Sequence, residues 1–417
     1  MQCCSLDQWL DSIRTSHASI IDYSLERITC VAKHLDILQP NIPVITVAGT
    51  NGKGSTVHTM EAILKTAHYR VGVFTSPHLE TYNEQIRIDG HHVTDTQLTH
   101  AFSTIYHASL TLTISLTEFE FLTLAALLIF KQSTLDMIIL EVGLGGGNDA
   151  VAIIKPQITV ITSIALDHQE YLGHTIDAIA ASEAQLLPTG KIGIIGLQHP
   201  PKPIIDHAEK INTTLLCLDY DFYPEQQPHH WTFKNSTITY SNLPYPKILI
   251  RNAALAIQAL LSAQIIFSET QLQTALRRIV IKGRLQLIKG TPSYLIDVSH
   301  NIEGVTQLAN QLSSYKNQKI VAVFSAFSDK SIATLIALIN PFVDYWIIAP
   351  IEHPRAASLH QLLTAFDELT IDHEKISIHH HLNTAFQEAE NTAESDTIIL
   401  AFGSFFVARH ALTHAQS

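Results

Sequence analysis

Pro43-Val-Ile-Thr-Val-Ala-Gly49-Thr50-Asn51-Gly52-Lys53-Gly54-Ser55-Thr56-Val57 is the stretch that decides the fold. Val44 to Ala48 is an apolar run of strand length, bounded by a glycine-rich turn from Gly49 to Gly54. Thr56 to Ala67 then carries Val57, Met60, Ile63, Leu64 and Ala67 at helical spacing. A strand, a glycine turn and a helix start together make an anion cradle. Glycines let backbone N–H groups close around phosphate oxygens, and the helix N-terminus adds a favourable dipole. Lys53 is placed to reach the β- and γ-phosphates and Ser55 to reach a magnesium ion. The spacing is shorter than the general phosphate-loop form, and a glycine separates Lys53 from Ser55. A turn that merely ended a strand would have no need of the lysine and serine at these positions. Gly49, Thr50, Asn51, Gly52, Lys53, Gly54, Ser55 and Thr56 are therefore candidate nucleotide-binding residues.

The chain around this cradle has 417 residues, more than one ordinary core accommodates, so two domains are expected. Hydrophobic residues make up 46% and charged residues 15%, the balance of a folded globular protein. A net charge of −12 argues against a broad nucleic-acid footprint, though one local cradle still suits an anionic nucleotide. Cys3, Cys4, Cys30 and Cys217 show neither metal-site spacing nor a disulfide framework. The first residues lack a basic-then-apolar leader, and apolar runs such as Leu124 to Phe130 are too short to span a bilayer. The expectation is a soluble, cytoplasmic protein without a membrane partner.

Arg70 to Thr75 reads as a second strand a short link after the first helix, which makes a βαβ unit and a parallel sheet. Ser76 leaves its carboxyl end, the sheet edge where ligands bind in open parallel sheets. Residues 5 to 38 read as a helical lead-in, and Gln85 to Val93 as a small hairpin. Thr96 to Ala108 and Glu118 to Lys131 read as helices. Asp136 to Glu141, Ile158 to Ile164 and Lys191 to Gly196 read as further strands. Residues 213 to 243 read as short antiparallel strands, and 252 to 262 and 269 to 279 as helices. A boundary falls near Lys282 to Pro292, after which strand and helix alternate again to the end, the pattern of an α/β domain.

Ser76, Glu141 and His168 fall at strand ends on the edge that carries the glycine turn. A hydroxyl, a carboxylate and an imidazole from three strands can hold divalent metal beside phosphates. Each alone is a common strand-end residue, and only the combination points to a metal-nucleotide site.

Gly49-Thr-Asn-Gly-Lys-Gly-Ser55, Thr75-Ser-Pro-His-Leu79, Asn83-Glu84, Leu140-Glu-Val-Gly-Leu-Gly-Gly146 and Ser163-Ile-Ala-Leu-Asp-His168 resemble motifs of the folylpolyglutamate synthase/dihydrofolate synthase family, which belongs with the Mur ligases. The resemblance continues through Lys282-Gly-Arg-Leu285, Asp297-Val-Ser-His-Asn301, Asp329-Lys330, Pro354-Arg355 and Gly403-Ser404-Phe405, covering nearly the whole chain. It implies an α/β protein with a P-loop ATPase-like central domain over residues 1–284 and a smaller Rossmann-like glutamate-ligase domain over 285–417. It implies an ATP-dependent amide ligase that activates a carboxylate as an acyl phosphate, which the amino group of L-glutamate then attacks. The acceptor would be dihydropteroate, a reduced folate, or both. By motif position Lys53 and the loop amides would hold the phosphates, Ser76 and Glu141 one Mg²⁺, and His168 a second. Asn252, Arg284, Asp297 and His300 match residues that serve ATP, and Lys53, His168, Asp297 and Glu183 are expected at catalytic positions. The family implies a monomer whose two domains close over the substrates and keep water from the acyl phosphate.

Three places depart from the family pattern. Its Gly-Gly-Arg-Leu-Asp-Ala-Thr-Asn reads Gly145-Gly-Gly147-Asn148-Asp149-Ala150-Val151-Ala152 here, so the arginine is lost at Gly147. Its Glu-Lys-Ala, whose lysine is carbamylated and helps hold the second metal, reads Ser182-Glu183-Ala184. The proline after the Asp297 motif is Ile302. Glu183 keeps a carboxylate on a shorter arm, which leaves two outcomes open. Glu183 binds metal directly or through water, or the second metal site is lost. The rival to an active ligase is thus an impaired member that binds nucleotide or pterin without efficient turnover. A Mur ligase acting on a cell-wall precursor is expected to need an N-terminal domain ahead of the phosphate loop. Among the 24 histidines, His379-His-His381 reads as a strand end or helix lead-in, and His91-His92 and His229-His230 as surface loop. Glu118 and Glu120 lie on different helix faces and do not form a glycosidase pair.

Overall fold

The computed structural model describes residues 5–17, 22, 24–315 and 317–416. It divides into two compact units, Met1–Ile279 and Val280–Ser417.

The first unit opens with α1 (Leu6–Arg14) and α2 (Glu26–His34), whose Trp9, Leu10, Ile13, Ile28 and Val31 are buried. The expected helical lead-in between them includes residues 18–21 and 23, which lie outside the described residues, as do Cys3 and Cys4. β1 (Val44–Ala48) follows, then α3 (Lys53–Thr66), which begins three residues earlier than its apolar spacing indicates. β2 (Val71–Phe74) leads to the small hairpin β3 (Ile86–Ile88) and β4 (His91–His92), so the exposed His91 and His92 stand in an edge strand. α4 (Asp95–Leu112) and α5 (Glu118–Lys131) each start on a capping box, from Thr94 with Gln97 and Thr117 with Glu120. Each cap contributes about 1 kcal/mol by satisfying N–H groups that the first turn leaves unpaired. α5 is buried all along Glu120 to Phe130, which explains an apolar run without a polar face.

β5 (Met137–Glu141), β6 (Ile158–Ile161), α6 (Gln169–Leu172), α7 (Ile176–Ala184), β7 (Ile192–Ile195), α8 (Lys202–Lys210) and β8 (Thr214–Cys217) continue the unit. The eight strands run in the order β4-β3-β2-β5-β1-β6-β7-β8. β2, β5, β1, β6, β7 and β8 are parallel, with β1 between β5 and β6. All five residues of β1 are buried, as both-faced coverage of a central parallel strand requires. The antiparallel expectation for 213 to 243 is corrected at its start. Thr214–Cys217 pairs parallel with β7. The cause is α8, with Ile204 and Ala208 buried, which makes β7-α8-β8 a crossover and forces parallel pairing. β9 (Phe222–Gln226), β10 (Trp231–Asn235) and β11 (Thr239–Leu243) do form an antiparallel sheet of their own. α9 (Ile250–Ser262) and α10 (Glu269–Arg278) close the unit.

In the second unit β12 (Gln286–Ile288), β13 (Ser293–Ile296), α11 (Ile302–Leu312), β14 (Ile320–Phe324), α12 (Ile332–Ile339), β15 (Tyr345–Ile348), α13 (Leu359–Glu368), β16 (Ile376–Ile378), α14 (Leu382–Thr392), β17 (Ile398–Phe402) and α15 (Phe405–Ala415) alternate as the sequence pattern indicates. The sheet order is β12-β13-β17-β14-β15-β16, parallel except for edge strand β12. Three elements, β12, β16 and α15, go beyond the sequence reading. The core gathers Phe324, Trp346, Phe366 and Phe402 under α11 to α13. His379 follows β16 and bonds Glu388, and His381 stands at the N-terminal boundary of α14 without a side-chain bond to its first turn.

Candidate active site

The cradle is shaped before any ligand arrives. Gly49 (φ +110°) and Gly52 (φ +89°) take the left-handed conformations that turn the chain from β1 into α3. The turn is tied to the segment leaving β6: Thr50 N donates to Ser163 O at 2.9 Å. Asn51 N donates to Ser163 Oγ at 3.0 Å, and Thr162 Oγ1 to Asn51 O at 2.6 Å. Ala165 N donates to Thr50 Oγ1 at 2.9 Å. The first turn of α3 presents its N–H groups to the cradle, since a helix start has no carbonyls of its own to take them. Lys53 lies in that turn, and its Nζ donates to Gly49 O at 2.6 Å and to Thr50 O at 3.2 Å. Ser55 is buried beside it.

The strand order places the expected metal residues around this turn. Ser76 follows β2, Glu141 ends β5 and His168 lies past β6, so all three stand at carboxyl ends of parallel strands near β1. A β-carbon on Gly54 would lie 3.6 and 3.7 Å from the two carboxylate oxygens of Glu141. The Glu141 carboxylate therefore sits at the mouth of the cradle. Serine hydroxyls and a glutamate carboxylate are the hard oxygen donors that Mg²⁺ takes, so the chemistry of Ser55, Ser76 and Glu141 suits the ion. His168 has a positive φ of 49° and opens α6.

Glu183 reaches the same place from α7. It is 4% exposed, and its Oε2 accepts from Gly49 N at 3.3 Å. Burial pushes its carboxyl above the ordinary range, while the Lys53 charge and the Gly49 N–H pull it back in part. Asp149 lies behind it, wholly buried. It accepts from Gly143 N, Leu144 N and Val151 N at 3.0, 2.9 and 2.8 Å. Burial pushes it up to about 7 against those donors, with the Glu183 charge adding to the rise. Gly147 is pressed against α7: a β-carbon there would lie 2.4 Å from Gln185 Cβ. Asn252, in the first turn of α9, packs on the turn from the other side, with Oδ1 2.6 Å from where a Gly52 β-carbon would stand.

In the second unit, Asp297 follows β13 and is 4% exposed. Its carboxylate accepts from Leu285 N and Ser299 N, both at 2.8 Å, and so holds the turn that carries Arg284. The Arg284 guanidinium lies 5.6 Å from the Phe405 ring centre, and the His300 ring packs on the same phenyl at 6.2 Å. Arg284, Asp297 and His300 thus form one cluster around the start of α15.

Several residues here give no signal of their task in the sequence. Asp149 staples the loop after β5, a role visible only once Gly143 and Leu144 fold back. In the second unit, buried Ser325 follows β14, and Lys330 pairs with Asp329 at 3.1 Å. Arg355 stacks 4.8 Å from the Phe327 ring centre. The motifs Asp329-Lys330 and Pro354-Arg355 carried these residues without assigning them a task.

Residues 47–226 match the Mur ligase middle domain and 283–405 the Mur ligase, glutamate ligase domain. The fold and site therefore define a Mur-type ligase. The bifunctional dihydrofolate synthase/folylpolyglutamate synthase of Escherichia coli is 36% identical over 98% of this chain and 94% of its own. A structure of E. coli FolC in complex with DHPP and ADP superposes with a TM-score of 0.94 at 35% identity, covering 99% of this chain and 98% of that one. A bifunctional folylpolyglutamate synthase/dihydrofolate synthase with Mn, AMPPNP and L-glutamate bound gives 0.91 at 35% identity, with 99% and 98% coverage. The chain belongs to the dihydrofolate synthase/folylpolyglutamate synthase family.

Proposed function

We infer that the protein is an ATP-dependent ligase that forms an amide between the amino group of L-glutamate and the carboxyl group of dihydropteroate, of a reduced folate, or of both. The observation that carries this reading is the pre-shaped phosphate cradle with the Glu141 carboxylate at its mouth. A carboxylate is a poor electrophile until its oxygen becomes part of a phosphate leaving group. Transfer of the γ-phosphate to it requires mainly positioning and charge neutralisation. Lys53 and the first-turn amides of α3 supply both for the phosphates. Ser55, Ser76 and Glu141 would hold Mg²⁺, with His168 and Glu183 offered to a second ion. Bound there, the ion neutralises developing phosphate charge. Asn252, Arg284, Asp297 and His300 are assigned to the nucleotide by motif position. Lys330 and Arg355 are the cations assigned here to the carboxylates of glutamate, on their charge alone. The relatives give no support to the rival reading of a member without turnover. Among the described residues no helix is long and apolar enough to cross a membrane.

The test is ADP release with dihydropteroate, L-glutamate and Mg-ATP. Release that depends on both acceptor and amine is expected; a folded protein that binds ATP without turning over would overturn the reading. Lys53→Met should lower turnover by about 100-fold or more, as removal of a preorganised charge at a phosphoryl site does.

A further inference from the structure

A buried ion pair lies beneath the cradle. Arg87, on β3, is 5% exposed, and Glu61, two turns into α3, is equally buried. Arg87 Nε donates to Glu61 Oε1 and Oε2 at 3.1 and 3.0 Å. One terminal nitrogen donates to Thr75 Oγ1 and to Glu84 O, both at 2.9 Å. The other lies 2.9 Å from Glu61 Oε2, off the hydrogen-bonding direction. Burial alone would raise the Glu61 carboxyl, but Arg87, aided by His58 and Lys65, holds it below the ordinary range.

The partners of this guanidinium belong to two different arms of the site. Glu61 is on the helix whose first turn carries Lys53 and Ser55. Thr75 immediately precedes Ser76. Glu84 closes the far end of the same loop, its carboxylate accepting from Leu79 N, Glu80 N and Thr81 N at 2.9, 2.9 and 2.7 Å. We propose that Arg87 is a positioning residue: it clamps the Ser76 loop to the phosphate-loop helix and so sets how strongly Mg²⁺ strengthens nucleotide binding. The planar fork of arginine holds three partners at once in a fixed geometry, which a single ammonium does not reproduce. A clamp needed only for stability would have no reason to end on the residue beside a metal ligand, since an apolar pair fills such a space as well or better.

The inference rests on the metal-nucleotide reading of the site, and its test separates the two. ADP affinity is measured by calorimetry with Mg²⁺ and with EDTA, in the parent protein, Arg87→Lys and Thr75→Val. The parent should bind more tightly with Mg²⁺. In Arg87→Lys that gain should shrink by about tenfold, the cost of losing charge-assisted bonds. Thr75→Val should lose part of the same gain, while metal-free affinity, which reports the Lys53 cradle, stays within about twofold in each. If Arg87→Lys fails to fold, Thr75→Val decides, because it removes one hydroxyl and leaves the ion pair intact. Variants that keep the parent's Mg²⁺ gain, or lose metal-free and Mg²⁺-bound affinity alike, overturn the clamp and leave the ligase standing. A folded parent that binds no ADP in either condition overturns both.

Discussion

Gly147 and Gln185 show how a single replaced residue is absorbed by its neighbour. Where the motif that the sequence resembles has an arginine, this chain has a glycine, and Gln185 from the end of α7 occupies the ground beside it. Gly147→Arg should therefore lower stability by about 1–3 kcal/mol through overpacking. Gly147→Arg combined with Gln185→Gly should recover most of that loss; thermal unfolding measures both. Equal stability of the single variant and the parent would show that Gln185 yields freely. Residue-scale legibility was uneven for a physical reason. Lys53 and Ser55 are legible because one short segment fixes their geometry, and Glu141 because it ends an apolar strand. The tie between Gly49 N and Glu183, 134 positions apart in sequence, depends on how α7 packs. Nothing in the local residue pattern reports that packing.

The loop from Ser76 to Glu84 behaves as an element although it has little regular structure. Glu84 organises it by taking three successive backbone N–H groups. Burial pushes the Glu84 carboxyl up, but those donors outweigh it and leave it below the ordinary range. A carboxyl lowered in the folded state stabilises fully above its unfolded value of about 4.3 and loses that contribution as pH falls through the folded value. Amide exchange at Leu79, Glu80 and Thr81 should then accelerate, relative to the intrinsic rate, as the solution is acidified below about pH 4. Glu84→Gln should show the faster relative exchange already at neutral pH, with little further acid dependence. If parent and variant show the same relative exchange at pH 7, the carboxylate is not what orders the loop. At this scale the sequence reads well where periodicity and punctuation agree, as in β1, α5 and the strand-helix alternation after residue 292. It misleads at Thr214–Cys217, where a weak alternation hid the crossover through α8.

The molecule as a whole is two cores joined near Ile279 and Val280. The expected division at 284/285 leaves Lys282-Gly-Arg on the first side, whereas the compact units place Gly283 and Arg284 with the second, bonded to Val298 and stacked on Phe405. Val280 is 56% exposed, so a protease should find this junction before either core. Limited proteolysis should leave two protected fragments meeting between about 279 and 284, and the fragment from 280 onward should unfold cooperatively on its own. Cleavage scattered through β13 or α11 instead would mean that the second core depends on the first. The resemblance extended over both units because its motifs sit at strand ends in each of them, the places where a parallel sheet gathers chemistry. Glu183 finally bears on what the protein needs from its surroundings. A carbamylated lysine, which the family resemblance sets at this position, has to be assembled from dissolved carbon dioxide and disassembles when that gas is scarce. A glutamate side chain leaves the ribosome complete. Turnover in degassed, bicarbonate-free buffer should match turnover in air, and a fall that bicarbonate restores would show that some other group still captures the gas.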